Sequence, residues 1–321
     1  MRVPITLDLH LPNFNYPGVG SDQVFDKLVE IATTAEASGF SSVSLMDHLH
    51  QIGPVGPPEN WMFDGNTMLA GLAARTSKVT LGTLVGGVTY RNPALLAKIT
   101  TTLDIISGGR AWFGIGAAWF EAEHQAYGFD FPPLGRRFEY LEECLQIVRA
   151  MFTQDRATFH GEYFRVEEAY NNPKPIRGDI PILIGGSGEK KTLRMVAQYA
   201  DGCNLFAADA DRARHLLGVL DGHCERLGRD PAEITKTAMG GYMIAETTEA
   251  AQAKLKAVAE QGLIPPERAQ MTLAGDPDTI GEAASKLKEA GIEGMTTSIA
   301  DVHDLESVEL YGRTLGAVWN G

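Results

Sequence analysis

Residues 181–206 read PILIGGSGEKKTLRMVAQYADGCNLF. The run entering this stretch, IPILIGG (residues 180–186), is apolar until its closing glycines, so it reads as a buried strand. Gly185, Gly186, Ser187 and Gly188 then make a loop. KKTLRMVAQYA (190–200) reads as a helix, and DGCNLF (201–206) as a short second strand. The fold turns on how often this unit recurs along the chain.

It recurs throughout. Toward the N-terminus, RAWFGIG (110–116) is a strand, preceded by a helix that Pro93 opens and Gly108 and Gly109 end. KVTLGTLV (78–85), SSVSLM (41–46) and VPITLDL (3–9) are further strands. Between the last two, Val24, Leu28, Ile31, Ala32 and Ala35 keep helical spacing before Gly39. A helix from about Arg136 carries Phe138, Leu141, Leu145, Val148 and Phe152 on one face. Toward the C-terminus come a helix at 211–227, strands at 235–245 and 294–300, and a helix at 304–319. Eight strand–helix repeats predict an α/β fold, a (β/α)₈ TIM barrel, as one domain over residues 1–321. Two insertions fall in the region of strands four and five, at 117–135 and 153–179. Insertions of that length in a compact domain are often functional.

The bulk numbers fit a globular protein: 44% hydrophobic and 21% charged residues among 321. The net charge of −13 disfavours nucleic acid and anionic membrane as partners. Cys144, Cys203 and Cys224 are odd in number and widely spaced, which argues for a reducing compartment and against a disulfide framework. The start MRVPITLDLH reads as a strand and not as a signal peptide, and no apolar run is long enough to span a membrane. A cytoplasmic location is the expectation.

On a barrel, sites lie on the loops after the strands. After strand two come Asp47, His48 and His50, an acid and two imidazoles that can accept hydrogen bonds and move a proton near neutral pH. Asp8-x-His10 and His48-x-His50 also raise a metal site, but strands five and six end without histidine, which argues against one. After strand three, Gly82, Gly86 and Gly87 leave space for a flat ligand, with Tyr90 and Arg91 following. A strand that simply bends at its glycines explains them equally well. After strand four, Gly114-x-Gly116 lacks the third glycine of a dinucleotide fingerprint. Beyond it lie Trp119, Glu121, Glu123, His124 and Tyr127, among them a candidate proton donor. After strand five, Gly185 to Gly188 precede a helix, with Lys190 and Lys191 nearby, which makes an anion seat suited to phosphate. Together these features suggest a flat, phosphate-bearing cofactor and redox chemistry.

Five segments in order strengthen that reading: LMDHL, LGTLVGGVTYRNPALLAK, DIISGGRAWFGIGAAWFEAEHQAYGF, PPLGRRFEYLEECLQIVRAMF and PILIGGSGEKKTLRMVAQYADGCN. With the later TLAGDPDTIGEAASKLKEAGIEGM, the chain resembles the luciferase-like monooxygenase superfamily over essentially its whole length. It is most similar to the coenzyme F420-dependent oxidoreductases of actinobacteria. The resemblance implies a barrel, a homodimer and a deazaflavin across the barrel mouth. It implies a cofactor phosphate on Gly185, Gly186, Ser187 and Gly188, a ring-contacting acid at Asp47, and a ring-side bulge at Thr83, Leu84 and Val85. It also implies a non-proline cis peptide at Leu84-Val85 and an imidazole near the reactive carbon at His48. Two positions depart from the F420 sugar-phosphate dehydrogenases: Ile52 replaces a tryptophan, and Trp119 replaces the proposed glutamate donor. That argues against sugar-phosphate oxidation and leaves Glu121, Glu123 and His124 as the candidate acids beside His48, with Glu123 and His124 preferred. The expected function is hydride transfer between F420 and a small organic substrate, without a metal. An FMN-dependent monooxygenase and a non-catalytic flavin- or deazaflavin-binding protein are the alternatives.

Overall fold

The computed structural model describes residues 1–207 and 209–320. Its main sheet is a parallel barrel. Leu7–Leu11 pairs with Ser42–Leu45 on one side and with Gly294–Thr297 on the other. The sheet continues through Thr235–Gly240, Gly202–Leu205 and Ile182–Gly185 to Phe113–Gly116. Strand three is split. Thr80–Thr83 pairs with strand two, whereas Gly86–Gly87 pairs with strand four. Both edges of the sheet therefore belong to one stretch of chain, a bridge from Leu81 to Ala111 spans them, and the barrel closes.

Local chemistry explains the boundaries. The helix Pro93–Ser107 begins with the Asn92 side chain accepting from the Ala94 amide, and it ends at Gly108 in the left-handed region (φ 70°). The outward faces of the strands, such as Leu7, Leu9, Val43, Leu45, Ile182 and Ile184, are buried against the helices. The barrel interior is more polar. The Asn204 amide donates to Thr237 Oγ1 (2.9 Å) and Thr296 Oγ1 (3.1 Å), and the Trp112 indole donates to Ser42 Oγ (3.2 Å). Trp112 also explains two glycines. A Cβ on Gly82 would lie 2.4 Å from its ring, and one on Gly114 would lie 2.6 Å from the ring and 2.0 Å from the Thr83 carbonyl. Gly82 thus makes room for an indole, not for a ligand as its place in strand three suggests.

The insertions hold structure of their own. Residues 117–133 carry the helix Glu121–Tyr127. Residues 154–181 carry an antiparallel hairpin, Ala157–His160 with Arg165–Ala169. A third insertion escapes the sequence reading, which runs 235–245 as one strand. The chain leaves the barrel at Gly240, and Tyr242–Ile244 pairs instead with Leu273–Gly275, enclosing the helices Thr248–Glu260 and Pro266–Met271. Strand one lies later than read, at Leu7–Leu11, while Val3 and Ile5 pack with Leu84, Trp112 and Leu183. All three cysteines are buried as free thiols. Among the described residues no helix is long and apolar enough to cross a membrane.

Candidate functional site

A cavity of about 2060 Å³ opens among the residues that follow the barrel strands. A site for one small ligand occupies roughly 300–1,000 Å³, so this one has room for two. Leu84, Val85, Gly86, Gly116 and Gly185 line it at the strand tips, and the Leu84-Val85 peptide is cis. The Val85 methyl groups lie 2.9 Å from where a Cβ on Gly185 would stand. Glycine at 185 is what lets Val85 pack there. Trp119, Leu134, Phe206, Met271 and Leu273 add an exposed apolar rim.

Asp47 and His48 follow strand two and both line the cavity. Asp47 is buried, and its Oδ2 accepts from Arg91 Nη1 at 2.7 Å. Arg91 also holds Asp64. Burial pushes the Asp47 carboxyl up to about 6, although Arg91 beside it pulls the other way. Near neutral pH it is an anion that a ligand N–H or O–H can approach.

His48 Nδ1 lies 2.6 Å from Glu123 Oε1. A carboxylate only accepts, so Nδ1 carries a proton, and it is Nε2 that is left to meet a ligand. Glu123 is fully buried. Burial alone would raise its carboxyl, but bonds from His48, the Tyr90 hydroxyl and the Leu49 amide (2.8 Å) outweigh burial and hold it below the usual glutamate range. Glu123 does not line the cavity. It stands behind His48, its carboxylate turned to the imidazole and not to the cavity.

His124 is placed differently again. Its Nδ1 donates to the Phe120 carbonyl (2.7 Å), and its Nε2 is bonded to the Thr89 hydroxyl (2.6 Å). The ring is fully buried and stacks on Tyr90 at 4.9 Å. Both nitrogens are bonded inside the protein, and the ring does not line the cavity. Thr83 also turns away from the main cavity, donating to the Gly114 carbonyl at 3.1 Å within the barrel wall. His50 stacks on Tyr127 with ring centroids 6.2 Å apart.

The strand-five loop forms another side of the cavity, from Gly185 through Thr192. The helix there is Thr192–Tyr199, starting later than the sequence suggests, and no side chain caps its first amides. Ser187 Oγ accepts from the Phe206 amide (2.8 Å), which leaves its own proton to donate. Lys190 and Lys191 line the same wall. Glu189, just before them in the chain, also lines the cavity and pairs with Arg212 (3.1 Å) and His215 (3.0 Å). The Gly186 and Leu193 amides are bonded within the protein, to the Asn204 and Gly188 carbonyls (3.0 Å each); the other amides of the loop, a hydroxyl and two cations suit an anion.

Sequence reasoning assigned no role to Tyr90 or Arg91, although it noted both. It raised His10 only as a possible metal ligand and missed Arg268 as a cavity residue. His10 had a faint signal: Asp8 and His10 share one strand face, opposite Ser42 and Ser44. Arg268 had none, because its neighbours come from distant segments.

Residues 5–308 match the family model described as luciferase-like monooxygenase. The chain is 33% identical over 237 residues to a pyrimidine monooxygenase of Stutzerimonas stutzeri (strain A1501), a match covering 70% of this chain and 62% of that protein. It is 33% identical over 216 residues to an F420-dependent glucose-6-phosphate dehydrogenase of Microbacterium testaceum (strain StLB037), covering 64% and 60%. The chain thus spans about three fifths of the length of either relative. Among solved structures, an F420-dependent secondary alcohol dehydrogenase in complex with an F420–acetone adduct superposes with a TM-score of 0.81 at 20% identity, covering 99% of each chain, and so shares the fold. On the family match over nearly its whole length, the chain belongs to the luciferase-like monooxygenase family.

Proposed function

We propose that this protein is an F420-dependent oxidoreductase acting on a small organic substrate. The observation that carries the reading is one cavity joining a cationic, amide-rich loop at Ser187–Lys191 to the His48–Glu123 pair across a floor of small residues. The donor set fits a phosphate-bearing flat cofactor: Gly185, Gly186, Ser187 and Gly188 would hold its phosphate, with Leu84, Val85 and Asp47 beside its ring. The bound deazaflavin would supply hydride chemistry. The chain's own residues then have distinct tasks. Asp47 would accept a hydrogen bond from the ring edge. His48 Nε2 takes a proton from a substrate hydroxyl in oxidation, or returns one in reduction. Glu123 stays ionised and stabilises the imidazolium that results. The apolar rim shields the site from water.

FMN carries the same kind of phosphate, and the similarity to a pyrimidine monooxygenase favours an FMN-dependent monooxygenase as the second reading. Fluorescence titration with F420 and FMN separates the two. Micromolar or tighter F420 binding is expected; FMN binding with no F420 binding overturns the proposal. The non-catalytic alternative fails if turnover exists and His48→Ala reduces it strongly while cofactor affinity holds. The same reading takes a homodimer as the working assembly and neither nucleic acid nor membrane as partner. Sedimentation at a monomer's rate would remove the dimer.

A further inference from the structure

Strand one lies four strands from strand five around the barrel, so its tip faces the phosphate loop across the mouth. Arg268 approaches from that far side. It sits on the short helix Pro266–Met271 of the third insertion and lines the cavity with His10. It is half-buried. Its guanidinium donates no hydrogen bond and pairs with no carboxylate among the described residues. The other cations lining this cavity are occupied or on the opposite wall: Lys286 pairs with Glu282 (3.0 Å), and Lys190 and Lys191 belong to the strand-five loop.

The surroundings sharpen the point. Met239, Tyr242, Pro265, Met271 and Leu273 are the apolar neighbours lining the same part of the cavity. A cation among such groups is poorly solvated, and its attraction for an anion is strengthened. Glu267, adjacent in sequence, is exposed and does not pair with it. His10 brings no competing charge. Burial, Arg268 and His48 together push its imidazole down to about 3, so it is neutral at working pH. Tyr311 is already committed, its hydroxyl donating to the Tyr242 carbonyl at 2.6 Å. The planar fork of an unpaired arginine matches the two oxygens of a carboxylate.

We propose that Arg268 forms a second anion seat, opposite the phosphate loop, and that the substrate is an organic carboxylate whose apolar body lies along Met239, Tyr242 and Met271. Calling that ligand the substrate rests on the oxidoreductase reading; the seat itself does not.

The test uses the full chain and defined probes: benzoate and 2-naphthoate against their uncharged amides, by titration calorimetry. The acids should bind about ten- to a hundredfold tighter than the amides, the range expected of a charge-assisted pair. Arg268→Gln should erase that preference and Arg268→Lys should keep part of it, with neither changing the affinity for F420 or FMN. A thermal melt of Arg268→Gln no lower than wild type shows that the fold is intact. Acids and amides binding alike, no binding of any probe, or a preference that survives Arg268→Gln would each overturn the seat. So would a loss of cofactor affinity in Arg268→Gln, which would place the arginine in the cofactor site. Failure of both cofactors to bind would instead sink the oxidoreductase reading and leave an acid-over-amide preference standing.

Discussion

Two imidazoles line the same cavity from neighbouring strand tips, and each has a buried carboxylate behind it. His48 reaches Glu123 directly. His10 reaches Asp8 through a hydroxyl: its Nδ1 is 3.0 Å from Ser44 Oγ, which donates to Asp8 Oδ2 at 2.7 Å. Neither acid is exposed to solvent, yet they shift in opposite directions. Burial pushes Asp8 up to about 6 despite its hydroxyl partners, and its Oδ1 has no partner among the described residues. Glu123 collects an imidazole, a phenol and a backbone amide, and goes down. The kind of donor separates them: hydroxyls do not offset burial at Asp8, whereas an imidazole, a phenol and an amide do at Glu123. The strand-two side therefore keeps a fixed negative charge behind its imidazole and can hold a transferred proton. The strand-one side holds His10 neutral and offers hydrogen bonding only.

The sharpest way to break this contrast is Glu123→Leu. It leaves His48 Nδ1, the Tyr90 hydroxyl and the Leu49 amide without their acceptor. Each stranded donor costs about 1–3 kcal/mol where water cannot reach it, so a loss of about 3 kcal/mol or more is expected in urea unfolding. Glu123→Gln keeps the shape, so it should fold nearly as well while turnover falls and its pH profile shifts. Full turnover in Glu123→Gln would mean that the charge behind His48 has no part in the reaction.

Asp8 should behave in the reverse sense. Its folded-state pKa stands above its ordinary value of 3.8, so the folded protein binds that proton more tightly than the unfolded chain does. The resulting stability is complete below about pH 4 and is lost as the pH rises through about 6. Asp8→Asn removes that loss. At pH 7 it should gain about 1–3 kcal/mol, and the slope of stability between about pH 4 and 6 should flatten. Denaturation midpoints across that range give the answer, and a destabilised Asp8→Asn at pH 7 would show that the carboxylate is better solvated than its burial implies.

Why one of these pairs was legible in the sequence and the other was not is a matter of distance along the chain. Strand–helix alternation and the Gly185–Gly188 loop are local patterns, and they hold in the structure with shifts of a few residues. His48 announces itself as a polar group ending an apolar strand. The cis peptide at Leu84-Val85 followed only from resemblance. What failed was tertiary. Nothing local says that Glu123 turns inward to His48, 75 residues earlier, while its neighbour His124 turns to Thr89. Gly82 looks like ligand space until Trp112, from the adjacent strand, fills it. The apolar run through Met243 and Ile244 hides the exit from the barrel, because both parts of it are buried strands. Arg268 depended on that exit.

The smallest change tests the contrast most finely. Tyr90→Phe removes one of the donors to Glu123 and nothing else of note, since the ring can still stack on His124. With one donor fewer, the Glu123 carboxyl should climb back toward its ordinary value of 4.5. A depressed carboxyl stabilises the fold above its unfolded pKa, and that stability is lost as the pH falls through the folded value. The cost of Tyr90→Phe should thus be about 1 kcal/mol and constant above about pH 5, then shrink in more acid solution. A cost that does not vary with pH would mean that Tyr90 supports the site by packing alone, and that His48 and Leu49 suffice to hold Glu123 ionised.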